Sequence, residues 1–253
     1  MSNITEVKVA VDGWRASLTF TNETGLNVSS RETLARLAHG AETLTQNPAV
    51  RLTVVRAEGK VFLAGADIKE MAGFDAKRAR DFSVFGNRTM DTLESMPSIT
   101  VAAIHGAALG GGCEIVLACD FRIAVAKAKI GLPETTLGLI PGWGGTKRAL
   151  RLLGPSQARR LIFGGGLLSA EEALKIGLID EVVPDTADLG PAIDRLFGSL
   201  GRGGPRAIAM AKRAFVTGDE SAAFAECFAG AESGEGMTAF MEKRLAAWME
   251  KTP

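Results

Sequence analysis

Alternating apolar and polar positions open the chain. Residues 7–11 alternate in this way, the alternation resumes over residues 16–20, and Asp12-Gly13 lies between the two runs. Two short alternating runs around such a turn predict a β-hairpin. Residues 30–46 then carry apolar side chains at helical spacing and end near Asn47-Pro48, which predicts an amphipathic helix.

Short apolar runs continue through the first 190 residues. Residues 52–55, 99–104 and 121–126 are largely apolar and predict buried strands. A turn at residues 64–67 leads into helical sequence, and residues 112–119 predict a buried helix. The repeated order of strand, turn and helix predicts an α/β fold.

Helical spacing dominates from residue 145 onward. Ser169 precedes two glutamates and predicts a helix N-cap. The last segment predicts two or three amphipathic helices with apolar positions at Phe224, Phe228, Met237, Phe240 and Trp248. Because such faces must be covered, we expect them to pack on the core or on another subunit. We therefore divide the chain into a core of residues 1–195 and a helical region of residues 196–253.

Composition narrows the class of protein. The 253 residues are 46% hydrophobic and carry no net charge, which is typical of a globular protein and does not favour a nucleic-acid or membrane partner. No stretch is long enough to span a membrane, and no secretory segment follows Met1. Cys113, Cys119 and Cys227 lie in apolar contexts and are expected to be reduced core thiols in a cytoplasmic protein. Only two histidines occur, without ligand spacing, so we expect no metal site.

Two glutamates are candidate catalytic residues. Glu114 ends residues 109–114, Leu-Gly-Gly-Gly-Cys-Glu, and Glu134 ends residues 131–134, Gly-Leu-Pro-Glu. Glycines before a helix present backbone N–H groups that no side chain covers. Two carboxylates that converge on such a site can divide the roles of acid and base. The combination suggests a reaction in which negative charge develops on a carbonyl oxygen while protons move nearby.

Each of these features also has a purely structural interpretation. The glycines could simply permit tight packing of a helix on a strand, and Glu134 could be an ordinary loop acid. A solvated Glu114 fits poorly with its apolar neighbours, Cys113 and residues 115–118. His105, at the end of a predicted strand, is interpreted as a structural histidine.

Four segments together resemble the enoyl-CoA hydratase/isomerase (crotonase) superfamily. They are residues 60–70, 109–120, 132–146 and 235–244, and the resemblance extends over about residues 5–249. Any one of these segments alone would be weak evidence for the family, whereas the four segments in this order are specific to it. The resemblance implies a crotonase-like spiral of repeated ββα units with a C-terminal helical trimerisation region. It also implies a homotrimer or a dimer of trimers.

The resemblance further implies a reaction. The backbone N–H groups of Ala66 and Gly111 would hold the thioester oxygen of a 2-enoyl-CoA. Glu114 would pair with the attacking water and Glu134 would deliver a proton to the α-carbon, giving the 3-hydroxyacyl-CoA. No metal or redox cofactor is implied, because coenzyme A is part of the substrate.

Further residues are implied to contact the substrate. Lys60 would approach the phosphates of coenzyme A, and Phe240 and Lys243 would reach the nucleotide of a neighbouring subunit, although a solvated basic helix end explains them equally well. Trp143 stands where relatives often have a smaller residue, so its ring would either shorten the acyl pocket or join the core. The remaining implied substrate contacts lie around the turn: Ala64, Asp67, Ile68 and Lys69.

Three alternatives stay open. The first is migration of the double bond from the 3- to the 2-position or another enolate reaction, although isomerases of the superfamily usually keep only the second carboxylate. The second is an RNA-binding member of the superfamily, for which the basic residues 147–160 are the densest candidate. The third is a non-catalytic acyl-CoA binder, which the presence of both carboxylates disfavours.

Overall fold

The predicted hairpin begins the structure, a computed structural model that describes residues 4–249. The expected ends of the two regions, residues 1–3 and 250–253, lie outside the described residues. In chain order the strands are β1 (Glu6–Asp12), β2 (Arg15–Thr21), β3 (Leu52–Ala57), β4 (Ile99–Ile104), β5 (Ala108–Leu109), β6 (Phe121–Val125), β7 (Lys129–Gly131), β8 (Leu167–Ser169) and β9 (Glu181–Val183).

Six of these strands form the main sheet, in the order β1-β2-β3-β4-β6-β9. β1 and β2 pair antiparallel, and every other neighbouring pair is parallel. All six residues of β4 are buried, as is typical of a central parallel strand. A second sheet has the order β5-β7-β8, and its first strand continues directly from β4 toward the glycine-rich segment.

Helices follow most of the strands. They are α1 (Arg31–Thr45), α2 (Ile68–Met71), α3 (Ala76–Glu94), α4 (Gly111–Leu117), α5 (Gly145–Gly164), α6 (Ala170–Lys175), α7 (Thr186–Leu200), α8 (Pro205–Thr217), α9 (Glu220–Cys227) and α10 (Ala231–Met241). A 3₁₀ turn at Pro133–Leu137 lies between β7 and α5. The predicted N-cap at Ser169 is confirmed, since its side chain accepts from the Glu172 N–H and the Glu172 side chain accepts from the Ser169 N–H.

Three helices, α8 to α10, form the end of the described chain. Lys212 of α8 is buried and joins this region to the core through Asp120 Oδ2 at 2.6 Å and the Ser98 carbonyl at 2.8 Å. The proposed division between residues 195 and 196 falls within α7, so α8 is the first helix that lies wholly beyond it. That division stays a prediction.

Two expectations need correction. The region after residue 145 contains two strands, β8 and β9, which the pattern did not identify within a region predicted to be mainly helical. Cys227 is partly exposed rather than a core thiol, whereas Cys113 and Cys119 are buried. His105 accords with a structural role, because its Nε2 lies 3.1 Å from the Gly59 carbonyl oxygen. Over residues 4–249, no helix combines the length and the apolar character needed to cross a membrane.

Candidate active site

Two loops meet at the N-terminus of α4. Leu63 N donates to the Ala107 carbonyl and Leu109 N donates to the Leu63 carbonyl, each at 3.0 Å. Gly112 lies directly against Leu63, and a Cβ at Gly112 would overlap the Leu63 carbonyl oxygen. Glycine at this position therefore lets α4 begin close beside the turn that carries Ala66.

This junction leaves two backbone N–H groups without an acceptor. Ser29 bonds to the residues on either side of Ala66, accepting from Asp67 N at 2.9 Å and donating to the Gly65 carbonyl at 2.8 Å. The Ala66 N–H finds no acceptor among residues 4–249. Gly111 is the first residue of α4, where a helix leaves N–H groups unpaired, and it too has none within that range. The two groups border one cavity and can bind an anionic oxygen there.

The cavity has a volume of about 490 Å³ and is largely apolar. Ser83, Glu114 and Glu134 are the polar side chains that line it within the described part of the chain, and no lysine, arginine or histidine does. Its apolar wall includes Ile68, Met71, Phe74, Phe82, Leu137, Leu139, Ile140 and Trp143. The cavity therefore suits a neutral acyl group.

Glu114 lies in the first turn of α4 and is 2% exposed. Its Oε1 accepts from the backbone N–H groups of Trp143 at 2.7 Å and Gly145 at 2.8 Å. Burial raises the pKa of this carboxyl, the two N–H donors oppose the rise, and the negative charge of Glu134 adds to it; the resulting pKa is about 7. The group can therefore exchange a proton near neutral pH.

Glu134 lies in the 3₁₀ turn on the other side of the glycine-rich segment. Its Oε1 lies 3.1 Å from the point that a Cβ on Gly110 would occupy, and its buried Oε2 has no hydrogen-bond partner within residues 4–249. Burial raises the pKa of this carboxyl as well. The structure thus brings both predicted carboxyls to one apolar cavity, beside the two unpaired N–H groups.

Trp143 combines the two roles that the sequence left open. Its ring is 3% exposed and packs edge-to-face on Phe82, with centroids 5.5 Å apart. It fills the space over two glycines, since a Cβ on either Gly86 or Gly111 would overlap the ring. Trp143 also lines the cavity. The ring is therefore part of the core and part of the cavity wall.

The other predicted contact residues divide into two groups. Ala64 and Ile68 line the cavity. Asp67 does not, because its side chain caps α2 by accepting from Lys69 N at 2.9 Å. Four of the predicted residues do not line the cavity within a single chain: Lys60, Lys69, Phe240 and Lys243. Phe240 is 84% exposed.

Sequence reasoning missed the contribution of the segment around α3. Phe74, Phe82 and Ser83 line the cavity, although this segment carries no motif, only helical spacing. It also missed the apolar rim formed by Leu137, Leu139 and Ile140, although these residues lie within the segment 132–146 that resembles the family.

The basic segment at residues 147–160 is not a free cationic surface. Lys147 contacts Asp91 at 2.9 Å, and Arg151 forms an ion pair with Glu94. Arg148 is buried and pairs with both acids. Three of the five basic side chains that suggested an RNA-binding surface are thus neutralised, which disfavours that alternative.

Comparison with known proteins places the chain in a family. The sequence profile named enoyl-CoA hydratase/isomerase matches residues 15–251. A Syntrophomonas wolfei protein named crotonyl-CoA hydratase is 38% identical over 237 residues, covering 89% of this chain and 91% of that protein. The mitochondrial methylglutaconyl-CoA hydratase of Mus musculus is 38% identical over 235 residues, covering 87% and 74%.

A solved structure gives the same result. The crystal structure of an enoyl-CoA hydratase from Bacillus anthracis matches with a TM-score of 0.85 and 35% identity, over 95% of this chain and 98% of that one. The chain belongs to the enoyl-CoA hydratase/isomerase family, and the predicted crotonase-like fold is confirmed.

The buried Glu114 is expected to lower the stability of the folded protein at alkaline pH. Its pKa is about 7 in the folded state against 4.5 as the ordinary value, so the folded state holds the proton more tightly. The free energy of unfolding therefore falls as pH rises from 4.5 to 7. Glu114→Gln removes this ionisation. The change that it causes in the free energy of unfolding should therefore be more favourable at pH 8 than at acid pH, by up to about 3 kcal/mol.

Urea unfolding of both proteins at pH 5 and pH 8 tests this expectation. Glu23→Gln, at an exposed carboxylate, controls for the loss of one negative charge. An equal effect of Glu114→Gln at both pH values would show that Glu114 does not ionise at a cost in the folded state.

Proposed function

We propose that this chain catalyses the reversible syn addition of water to a 2-enoyl-CoA thioester, giving the 3-hydroxyacyl-CoA. The observation that carries the proposal is the pairing of two carboxyls of raised pKa, Glu114 buried and Glu134 half-buried, with two N–H groups that lack acceptors, around one apolar cavity. The relatives named as hydratases support the same reaction.

The N–H groups of Ala66 and Gly111 bind the thioester carbonyl oxygen. As water attacks C3, the electrons of the C2–C3 double bond shift toward that oxygen, and negative charge develops on it. The apolar cavity strengthens the interaction between this charge and the two donors. Removing one such donor typically costs about 10²–10³ in rate.

Glu114 and Glu134 divide the proton transfers. Glu114, as the carboxylate, accepts a proton from water while the water oxygen bonds to C3. Glu134, as the carboxylic acid, donates its proton to C2. One proton thus passes from Glu134 to the product and another from water to Glu114, and exchange with solvent restores the pair. Dehydration follows the same steps in reverse.

Two positioned carboxyls favour hydration over isomerisation. Moving a double bond from C3 to C2 transfers one proton between two carbons, which a single carboxyl can perform. The Oε1 atom of Glu114 is held by backbone donors, and its Oε2 makes no hydrogen bond within residues 4–249. That second oxygen is available to bind the attacking water.

The acyl group is neutral and lies against an aromatic wall. Phe74, Phe82 and Trp143 pack edge-to-face in series along the cavity, with centroids 5.5 Å apart in both pairs. A second carboxylate at the far end of the acyl chain, as in methylglutaconyl-CoA, would meet no cation among the described lining residues. The S. wolfei relative named for crotonyl-CoA is therefore the better guide to the substrate.

Coenzyme A extends from the cavity toward Lys60, while Phe240 and Lys243 of a neighbouring subunit contact its nucleotide. The exposure of Lys60 and Phe240 supports roles outside the cavity. No cofactor beyond this coenzyme A is needed, because the carboxyls and backbone donors supply the chemistry. The three free thiols support a cytoplasmic location.

The C-terminal helices assemble the protein into a trimer or a dimer of trimers. Large apolar side chains on α8 to α10 are exposed in the single chain, and Phe215 is 81% exposed. The others that extend this surface are Val216, Phe224, Phe228, Met237, Phe240 and Met241. So many exposed apolar residues indicate contact with another copy.

Either glutamine substitution, Glu114→Gln or Glu134→Gln, is expected to lower kcat by at least about 10². Glutamine keeps the shape and polarity of glutamate but cannot exchange the proton. The affinity for CoA esters should change little, since the backbone donors remain. The double variant should lose less than the product of the two single losses.

Hydration of crotonyl-CoA, followed by loss of the enoyl-thioester absorbance, gives these values. Near-parental hydration by Glu114→Gln, together with an inactive Glu134→Gln, would contradict the two-carboxyl mechanism and favour an isomerase.

Crotonyl-CoA is expected to exceed methylglutaconyl-CoA in kcat/KM by about 10² or more, because a buried, unpaired carboxylate costs several kcal/mol.

Trp143→Ala should shift the preference among neutral enoyl-CoAs toward longer chains, since one methylene is worth about 1–3 kcal/mol in such a pocket. Rates across C4 to C16 enoyl-CoAs measure this chain-length preference, and rates with crotonyl-CoA and methylglutaconyl-CoA measure the discrimination against the second carboxylate. A preference for the dicarboxylic ester would contradict the neutral cavity, and an unchanged chain-length profile in folded Trp143→Ala would assign the ring to the core alone.

Light scattering at micromolar concentration is expected to give about 80 kDa for a trimer of this 26.6 kDa chain, or twice that for two trimers. A stable monomer would show that the apolar surface of the C-terminal helices has another function.

A further inference from the structure

Four polar side chains form a stripe along α3. Ser83, Asn87, Asp91 and Glu94 are spaced four, four and three residues apart, so they lie on one face of the helix. Each of them contacts either residues 142–145, which we call the clamp loop, or Arg148 in the first turns of α5.

Two of the four hold the clamp loop directly. Ser83 Oγ donates to the Gly142 carbonyl at 2.5 Å, and Asn87 Nδ2 donates to the same oxygen at 2.8 Å. Asn87 Nδ2 also donates to the Ser83 carbonyl at 3.0 Å, which fixes the orientation of its amide. The Gly142 carbonyl is therefore held by two donors from one helix.

The other two hold the loop through Arg148, which is 1% exposed. Its Nε donates to Glu94 at 2.9 Å and its Nη2 to Asp91 at 2.5 Å. Its Nη1 donates to the Trp143 carbonyl at 3.0 Å. A second carbonyl of the clamp loop is thus fixed from the same face of α3.

One of the held oxygens, the Gly142 carbonyl, belongs to a peptide group that serves Glu114. The Gly142 carbonyl and the Trp143 N–H share one planar peptide unit, so fixing the oxygen aims the hydrogen. The Gly144 carbonyl likewise accepts from Arg148 N at 3.0 Å and shares its peptide unit with the Gly145 N–H. Both N–H groups donate to Glu114 Oε1. Hydrogen bonding at the oxygen also polarises the N–H and strengthens its donation.

We propose that Ser83 and Asn87 are positioning residues that hold the clamp loop so that the Trp143 N–H fixes the place and the charge of the Glu114 carboxylate. The role of Glu114 in this statement rests on the proposed function. Ser83 also lines the cavity, but its hydroxyl is committed to the Gly142 carbonyl.

Loosening the loop has a definite effect on proton exchange. The charged and titratable groups around Glu114 are Glu134 on the 3₁₀ turn, Arg148 on α5 and Cys113 on α4 itself. None of these changes when Ser83 or Asn87 is replaced. The Trp143 N–H lowers the pKa of Glu114, so its loss raises that pKa. Because Glu114 must be ionised to accept a proton from water, the acid limb of the hydration rate moves to higher pH.

The test uses the full-length protein carrying Ser83→Ala together with Asn87→Ala, which removes both donors to the Gly142 carbonyl. Hydrogen exchange of the 139–147 segment, measured by mass spectrometry without substrate, reports the loop independently of activity. Hydration of crotonyl-CoA across pH 5–9 reports the effect on Glu114. Thr92→Ala is the matched control, because it removes a hydroxyl from α3 that bonds only to the Arg88 carbonyl.

We expect exchange in the 139–147 segment to accelerate about tenfold, kcat to fall about 10- to 100-fold, and the acid limb to move to higher pH with little change in KM. Thr92→Ala should match the parental protein in all three. Ser83→Thr keeps the hydroxyl donor to the Gly142 carbonyl, so exchange in the 139–147 segment of this variant should stay near the parental rate.

Unchanged exchange in the double variant would overturn the proposal. So would faster exchange with a parental kcat and pH profile, since the loop would then not govern Glu114. Should the parental protein hydrate no enoyl-CoA, the proposed function fails, and the exchange measurement still decides whether Ser83 and Asn87 hold the loop.

Discussion

A carboxyl buried without a contacting cation is the constraint around which this site is built. Glu114 is balanced by backbone N–H groups, and none of the ion pairs formed within residues 4–249 includes it. A contacting arginine would lower its pKa and keep it ionised, whereas N–H donors offset only part of the cost of burial. The carboxyl consequently stays near the point at which it can both take and release a proton. The start of α5 and the bend of the chain before it supply those two N–H groups.

The spacing of apolar residues along the sequence was sufficient to predict those helices and strands that are determined by local sequence. The hairpin, α1 and the central strands all lie where the hydrophobic pattern predicted them, within about two residues. The burial of Glu114 also followed from its apolar neighbours. β8 and β9 were missed because each has three residues, too few to show alternation, and each depends on pairing with a distant strand.

Polar residues were harder to interpret than apolar ones. The stripe on α3 has the composition of a solvated helix face, and the basic residues after Gly145 have that of a cationic surface. The fold places the two against each other, so that Arg148 and Glu94 are largely withdrawn from water. Asp67 shows a related ambiguity, since an acid beside a binding turn and a helix cap look the same in one sequence, and its side chain caps α2. Both cases concern partners distant in sequence or a choice between two local roles.

The position of the Trp143 ring over Gly111 ties two properties of the enzyme together. The same ring forms part of the cavity wall and covers Gly111, whose N–H is the proposed donor to the thioester oxygen. Selection for larger substrates cannot act on this wall alone, because a smaller side chain at residue 143 would open a space beside that N–H into which water could enter and compete for it. Under the proposed function, enlarging the cavity without loss of rate therefore requires a change elsewhere along the wall, such as at Met71 or Leu137. A change of substrate range is thus expected to begin at wall residues that do not cover Gly111.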